Sequence, residues 1–168
     1  MFHAFDKHGP NCPATRQSWM ALLARAPQPL LEQGLTAHLP SQHQWLRRPE
    51  TGLMMVQGRA GGTGERFNLG EITVTRCALR LGEAGSDAPV GVAYVTGRSH
   101  RQAQLAATAD ALLQDPRWHE SLQASLLEPI RQHLNAQHAQ RQQRAQSTRV
   151  DFLTMAREAG GDETEDQE

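Results

Sequence analysis

The hydrophobic and polar positions divide the chain into helical ends and a β-rich middle. Trp19, Leu22, Leu23 and Ala26 recur at helical spacing, so a first helix is predicted over residues 13–26, with Pro13 in its first turn and Pro27 and Pro29 beyond its end. Leu30, Leu31 and Leu35 predict a short second helix that stops before Pro40. Residues 43–48 and 52–60 then read as two short strands joined at Pro49-Glu50-Thr51. Leu53-Met54-Met55-Val56 is apolar at consecutive positions, as expected of a central strand covered on both faces. Residues 66–81 are β-prone, but the apolar parity changes between Ile72/Val74 and Cys77/Leu79/Leu81, which predicts a bulge or bend between Val74 and Cys77. Residues 82–89 read as a turn and 90–96 as another strand.

Ser99 followed by Gln102 marks a helix start of the capping-box type, and Leu105, Ala109, Leu112 and Leu113 form the buried stripe behind it. Asp115-Pro116 restarts a helix with Trp118, Leu122 and Leu126, and Pro129 is expected to interrupt it. Residues 131–148 favour helix, yet after Leu134 only alanines are apolar, so that helix lacks a core face. Val150, Phe152, Leu153 and Met155 make an isolated apolar cluster before an acidic tail. The fold class predicted is α+β: an antiparallel β-sheet flanked by N-terminal and C-terminal helices, with an extended C-terminal arm. Residues 1–13 are read as a mobile leader and 158–168 as a disordered tail.

Composition narrows the function classes. A length of 168 residues favours one domain, and a net charge of −1 supplies no overall field toward nucleic acid or an anionic membrane. One tyrosine and a single lysine, Lys7, also argue against a nucleic-acid surface. No stretch is apolar enough to span a membrane and residues 1–13 lack a signal-peptide core, so a cytoplasmic location is expected. Cys12 and Cys77 form no motif pair and read as reduced thiols. His100, His119, His133 and His138 lack the companions a zinc site needs, so no metal is expected.

The most suggestive local feature is the run Gly61-Gly62-Thr63-Gly64-Glu65-Arg66. Glycines let backbone N–H groups converge on an anion, and Arg59 and Arg66 can fork onto phosphate. The run lacks the P-loop lysine and leads into a strand, so a tight connection between strands is the plain alternative. Arg76, Arg80, Arg98 and Arg101 would extend a cationic surface if the sheet gathers them on one side, and Glu50 and Glu65 are a conceivable acid–base pair that no spacing demands. Val150 to Met155 after a polar helix suggests a docking segment, its alternative being packing on the chain's own sheet.

Several of these segments together resemble the PhnG family, a subunit of the bacterial carbon–phosphorus lyase system. They are Ala14-Thr15-Arg16-Gln17-Ser18-Trp19-Met20, Glu50-Thr51-Gly52-Leu53, the stretch from Gly61 through Arg66 to Phe67-Asn68-Leu69-Gly70-Glu71, Val95-Thr96-Gly97-Arg98, and Ser147-Thr148-Arg149-Val150-Asp151-Phe152-Leu153-Thr154-Met155. The resemblance covers about residues 14–157. It implies an accessory or structural subunit acting with PhnH, PhnI and PhnL in displacing adenine from ATP by an alkylphosphonate, giving α-D-ribose 1-methylphosphonate 5-triphosphate. It also implies a core complex containing PhnJ, which carries the iron–sulfur cluster. Catalysis then belongs to the complex, the isolated chain is expected to be inactive, and no cofactor is expected in it. On this reading Arg59, Gly62, Thr63, Gly64, Glu65, Arg66 and Arg98 are the candidates for substrate or partner binding. Arg149, Val150, Phe152, Leu153 and Met155 are those for docking, and no catalytic residue is assigned. A self-sufficient nucleotide- or phosphate-binding enzyme using the glycine loop, and a pure assembly scaffold, are the competing readings.

Overall fold

The computed structural model describes residues 16–38, 42–82 and 88–148. Two short helices, α1 (Arg16–Leu23) and α2 (Gln28–Leu35), precede three strands, β1 (His43–Arg59), β2 (Arg66–Leu81) and β3 (Val90–Thr96). Helices α3 (His100–Leu113), α4 (Pro116–Leu122) and α5 (Glu128–Ser147) follow, the last two joined by a π turn at Gln123–Leu127. The strands form one antiparallel sheet in the order β1-β2-β3. The architecture is therefore α+β, as the alternation of patterns predicted.

Helix α3 is the centre of the molecule. Ala103 and every residue from Leu105 to Leu113 are buried, because the sheet lies on one side of α3 and α1, α2 and α4 lie on the other. Its small residues permit this. At Gly91 of β3 an added Cβ would collide with the Ala107 carbonyl oxygen, so helix and strand approach as closely as backbones can. Ser99 caps α3 by accepting from the Gln102 N–H at 3.2 Å, while the Gln102 amide donates to Ala26 O at 2.8 Å and ties α3 to the link between α1 and α2.

Four expectations are corrected. The two short strands are one 17-residue strand, β1, with Pro49 inside it, within the register shift between Arg47 and Glu50. Proline fits there because β1 is an edge strand, where a missing N–H removes no ladder bond from a second neighbour. Leu53, Met54 and Met55 are exposed rather than covered, at 67%, 43% and 49%, because β1 lies at the edge and they project past the end of β3. No bulge breaks β2 between Val74 and Cys77, since the ladder to β3 runs without a shift from Val74 to Arg80. The parity change arises because β2 is buried on both faces there: Cys77 and Leu79 on the α3 side, Val74 on the other. Finally, Pro129 does not interrupt the helix. The π turn just before it widens the backbone, which accommodates a residue without N–H whose ring would crowd the carbonyl four residues back.

Beyond residue 134, α5 is exposed along its whole described length, matching a helix without a core face. Among the described residues no helix is long and apolar enough to cross a membrane.

Candidate functional site

Strand β3 pairs with β2 only from Val74 to Arg80, whereas β1 pairs with β2 all the way to Arg59 and Arg66. Residues 52–59 and 66–73 consequently leave the sheet as a two-stranded arm, and the glycine loop is its tip. The candidate residues Arg59, Gly62, Thr63, Gly64, Glu65 and Arg66 all lie there, at a strand-to-strand connection.

The loop's geometry is specific. A 3-10 turn covers Ala60–Gly62, with Gly61 and Gly62 at φ of 57° and 81°, a region that glycine enters without steric cost. The N–H groups of Thr63 and Gly64 both donate to Ala60 O, so two amides that a phosphate cradle would use are turned back onto the loop. Arg59 donates from Nη1 to Gly64 O at 3.1 Å, closing the tip. Arg66 is the direct cross-strand partner of Arg59 and is exposed. Two like charges facing each other across strands disfavour the free arm.

The other charged candidates are not gathered at the tip. Arg98 sits in the turn after β3 beside the base of the arm, roughly 20 Å away at ~3.3 Å per residue. Arg76 lies further still, bonded from Nε to Glu50 Oε1 at 2.7 Å, and Arg47 reaches the same oxygen at 2.8 Å. Hydrogen bonding from Arg76, with Arg47 adding to it, holds the Glu50 carboxyl below its ordinary range. Glu50 and Glu65 therefore occupy opposite ends of the arm and make no acid–base pair. At the arm's base, Thr51 Oγ1 lies 3.3 Å from Thr75 Oγ1 and 3.2 Å from His100 Nε2, and the buried Thr75 hydroxyl donates to Gly97 O at 2.7 Å. This knot joins β1, β2, the Gly97 turn and the start of α3, and fixes the direction in which the arm leaves the body.

The arm's surface is its most unusual property, and residue-by-residue reading missed it. On the face opposite α3, Met54, Val56, Phe67, Leu69 and Ile72 form an apolar stripe. Pairing places Met54 against Ile72, and the Phe67 ring and Leu69 flank Gly58. On the α3 side stand Leu53 and Met55, paired with Thr73 and Glu71. Phe67 and Leu69 are 47% and 66% exposed. The signal was present as a run apolar on both faces; what misled was the assumption that the protein's own sheet covers it.

The candidates Arg149, Val150, Phe152, Leu153 and Met155 lie outside the described residues. Among the described residues no group of three His, Cys, Asp or Glu side chains is arranged to hold a metal ion. An open depression of about 370 Å³ between α2 and the π turn, bordered by Gly34, His38, Ser121 and Ser125, contains none of the candidate residues.

One further polar site is internal. The buried Asp110 carboxylate of α3 accepts from Arg16 Nε and Nη2, Trp19 Nε1 and the Val92 N–H, at 3.2, 2.7, 2.9 and 3.0 Å. It joins α1, α3 and β3, so the Arg16 and Trp19 of the N-terminal signature segment serve the fold.

The family model described as phosphonate metabolism protein PhnG matches residues 14–158. Over 112 residues, 67% of this chain and 69% of the relative, the chain is 43% identical to the alpha-D-ribose 1-methylphosphonate 5-triphosphate synthase subunit PhnG of Rhizobium meliloti (strain 1021). The chain belongs to the PhnG family of phosphonate metabolism proteins.

Proposed function

We propose that this chain is an accessory subunit of an α-D-ribose 1-methylphosphonate 5-triphosphate synthase in the cytoplasm. It acts there with PhnH, PhnI and PhnL in displacing adenine from ATP by an alkylphosphonate. Family membership motivates the reading, and the observation that carries it is the arm, on which Leu53, Met54, Met55, Phe67 and Leu69 are exposed. A two-stranded ribbon is marginally stable alone in water, so one with apolar residues on both faces suits a partner. In this account ATP and the phosphonate are substrates of the assembly, the iron–sulfur cluster resides in PhnJ, and this chain holds no cofactor of its own. Arg149 to Met155 is proposed, from sequence, as a second docking element.

The glycine tip favours contact over self-sufficient nucleotide binding, because Thr63 and Gly64 spend their amides on Ala60 and Arg59 spends a donor on Gly64 O. Co-expression with PhnH, PhnI and PhnJ, followed by purification through a tag on PhnI, tests the proposal, together with calorimetric titration of ATP into the isolated chain. Co-purification without ATP binding by the chain alone is expected. ATP binding by the isolated chain with no co-purification would favour the self-sufficient enzyme instead.

A further inference from the structure

The arm is apolar on both faces and unpaired at both edges, and these two facts together constrain what covers it. Leu53 and Met55 point to the α3 side, while Met54, Phe67 and Leu69 point away from it. Among the described residues no strand pairs with the outer edge of β1, nor with β2 between Arg66 and Ile72. We infer that the arm inserts into a cleft of another subunit, which covers both faces at once with apolar walls and meets the paired Arg59 and Arg66 with a carboxylate at its floor. The inference rests on the subunit reading above and specifies how the subunit docks.

Area and symmetry favour a cleft over a second copy of this chain. Each face of the arm measures about 26 by 10 Å, hence ~260 Å² on one face and ~500 Å² on two, against ~800 Å² per partner in a standard interface. One face stacked on its own copy falls far short and leaves the other face in water. Edge-to-edge pairing of β1 with its copy would leave both faces exposed. Covering two faces, the free edges and the tip approaches the standard area. A partner carboxylate between Arg59 and Arg66 would also turn their cross-strand repulsion into a bridged contact.

The test reads the two faces separately. Leu53→Cys and Leu69→Cys place a thiol on each face, at positions 67% and 66% exposed, so neither disturbs the core. Cys12 is replaced by serine in both, and Cys77 reacts slowly because it is buried. Maleimide labelling is followed in the free chain and in the complex with co-expressed PhnH, PhnI and PhnJ. Both thiols should react readily in the free chain at every concentration, and both should slow by about tenfold or more in the complex, as thiol access is lost. Protection of only one would mean a flat contact and would overturn the cleft. Protection in the free chain that grows with concentration would assign the arm to a second copy and overturn it too, as would two thiols left reactive in a complex that forms. If the unsubstituted chain fails to co-purify at all, the subunit reading itself falls, an outcome distinct from the others.

Discussion

Trp19 Nε1 donates to Asp110 Oδ1 at 2.9 Å across 91 positions of sequence, and through that bond the first helix is fastened to the central one. Arg16 and the Val92 N–H share the same carboxylate, so one buried anion on α3 is satisfied by four donors from α1 and β3. Asp110→Ala should cost about 3 kcal/mol, because it strands the indole and Val92 donors, while the half-exposed Arg16 retains water. Trp19→Phe keeps most of the ring volume and should cost about 1–2 kcal/mol. Urea unfolding midpoints of the isolated chain check both.

That relationship shows what was legible in the sequence and what was not. The helix stripes, the Ser99 cap and the bounds of β2 follow from local periodicity and capping chemistry. The family signature was legible too, but its Arg16 and Trp19 disclose their role only when Asp110 is seen beside them. Leu53 to Val56 shows the same limit: an apolar run reports that something covers a strand, and cannot say whether the cover is the same chain. Pro129 looked like a stop because the rule presumes an α-helical turn before it, and a π turn removes the clash. The gathering of Arg59, Arg66, Arg76 and Arg98 depended on register, which local pattern does not specify over a strand this long.

Close approach of α3 to β3 makes Gly91 the most sensitive small residue. Gly91→Ala places a methyl group on the Ala107 carbonyl, backbone that cannot swing aside. Destabilisation of about 3 kcal/mol is expected, at the upper end of overpacking costs. Gly52→Ala, where an added Cβ has open space, is the control and should leave thermal stability nearly unchanged.

Cys77 should give the protein an alkaline weakness. Burial pushes its thiol up to about 11 from an ordinary 9.0. Below pH 9 the thiol is protonated in both folded and unfolded chains and stability is intact. Between pH 9 and 11 the unfolded chain loses this proton first, so stability falls as pH rises, by about 2–3 kcal/mol at most. The Cys77→Ala variant should lose that slope relative to the parent, as read from melting temperatures over pH 8–11.

At the arm's tip the two arginines should separate by assay. Arg59→Ala removes the bond to Gly64 O and loosens the loop, so faster amide hydrogen exchange is expected there without global unfolding. Arg66→Ala should leave the fold intact and weaken complex formation or adenine release about ten- to hundredfold, the equivalent of a charged hydrogen bond of ~1.5–3 kcal/mol. Partial recovery with Arg66→Lys would point to charge over fork geometry.

The most direct measurement is the rate of adenine release from ATP and methylphosphonate by co-expressed PhnH, PhnI and PhnL, titrated with this chain. Negligible release is expected without the chain, a rise that saturates as it is added, and none from the chain alone. Release at the full rate in its absence would contradict the account.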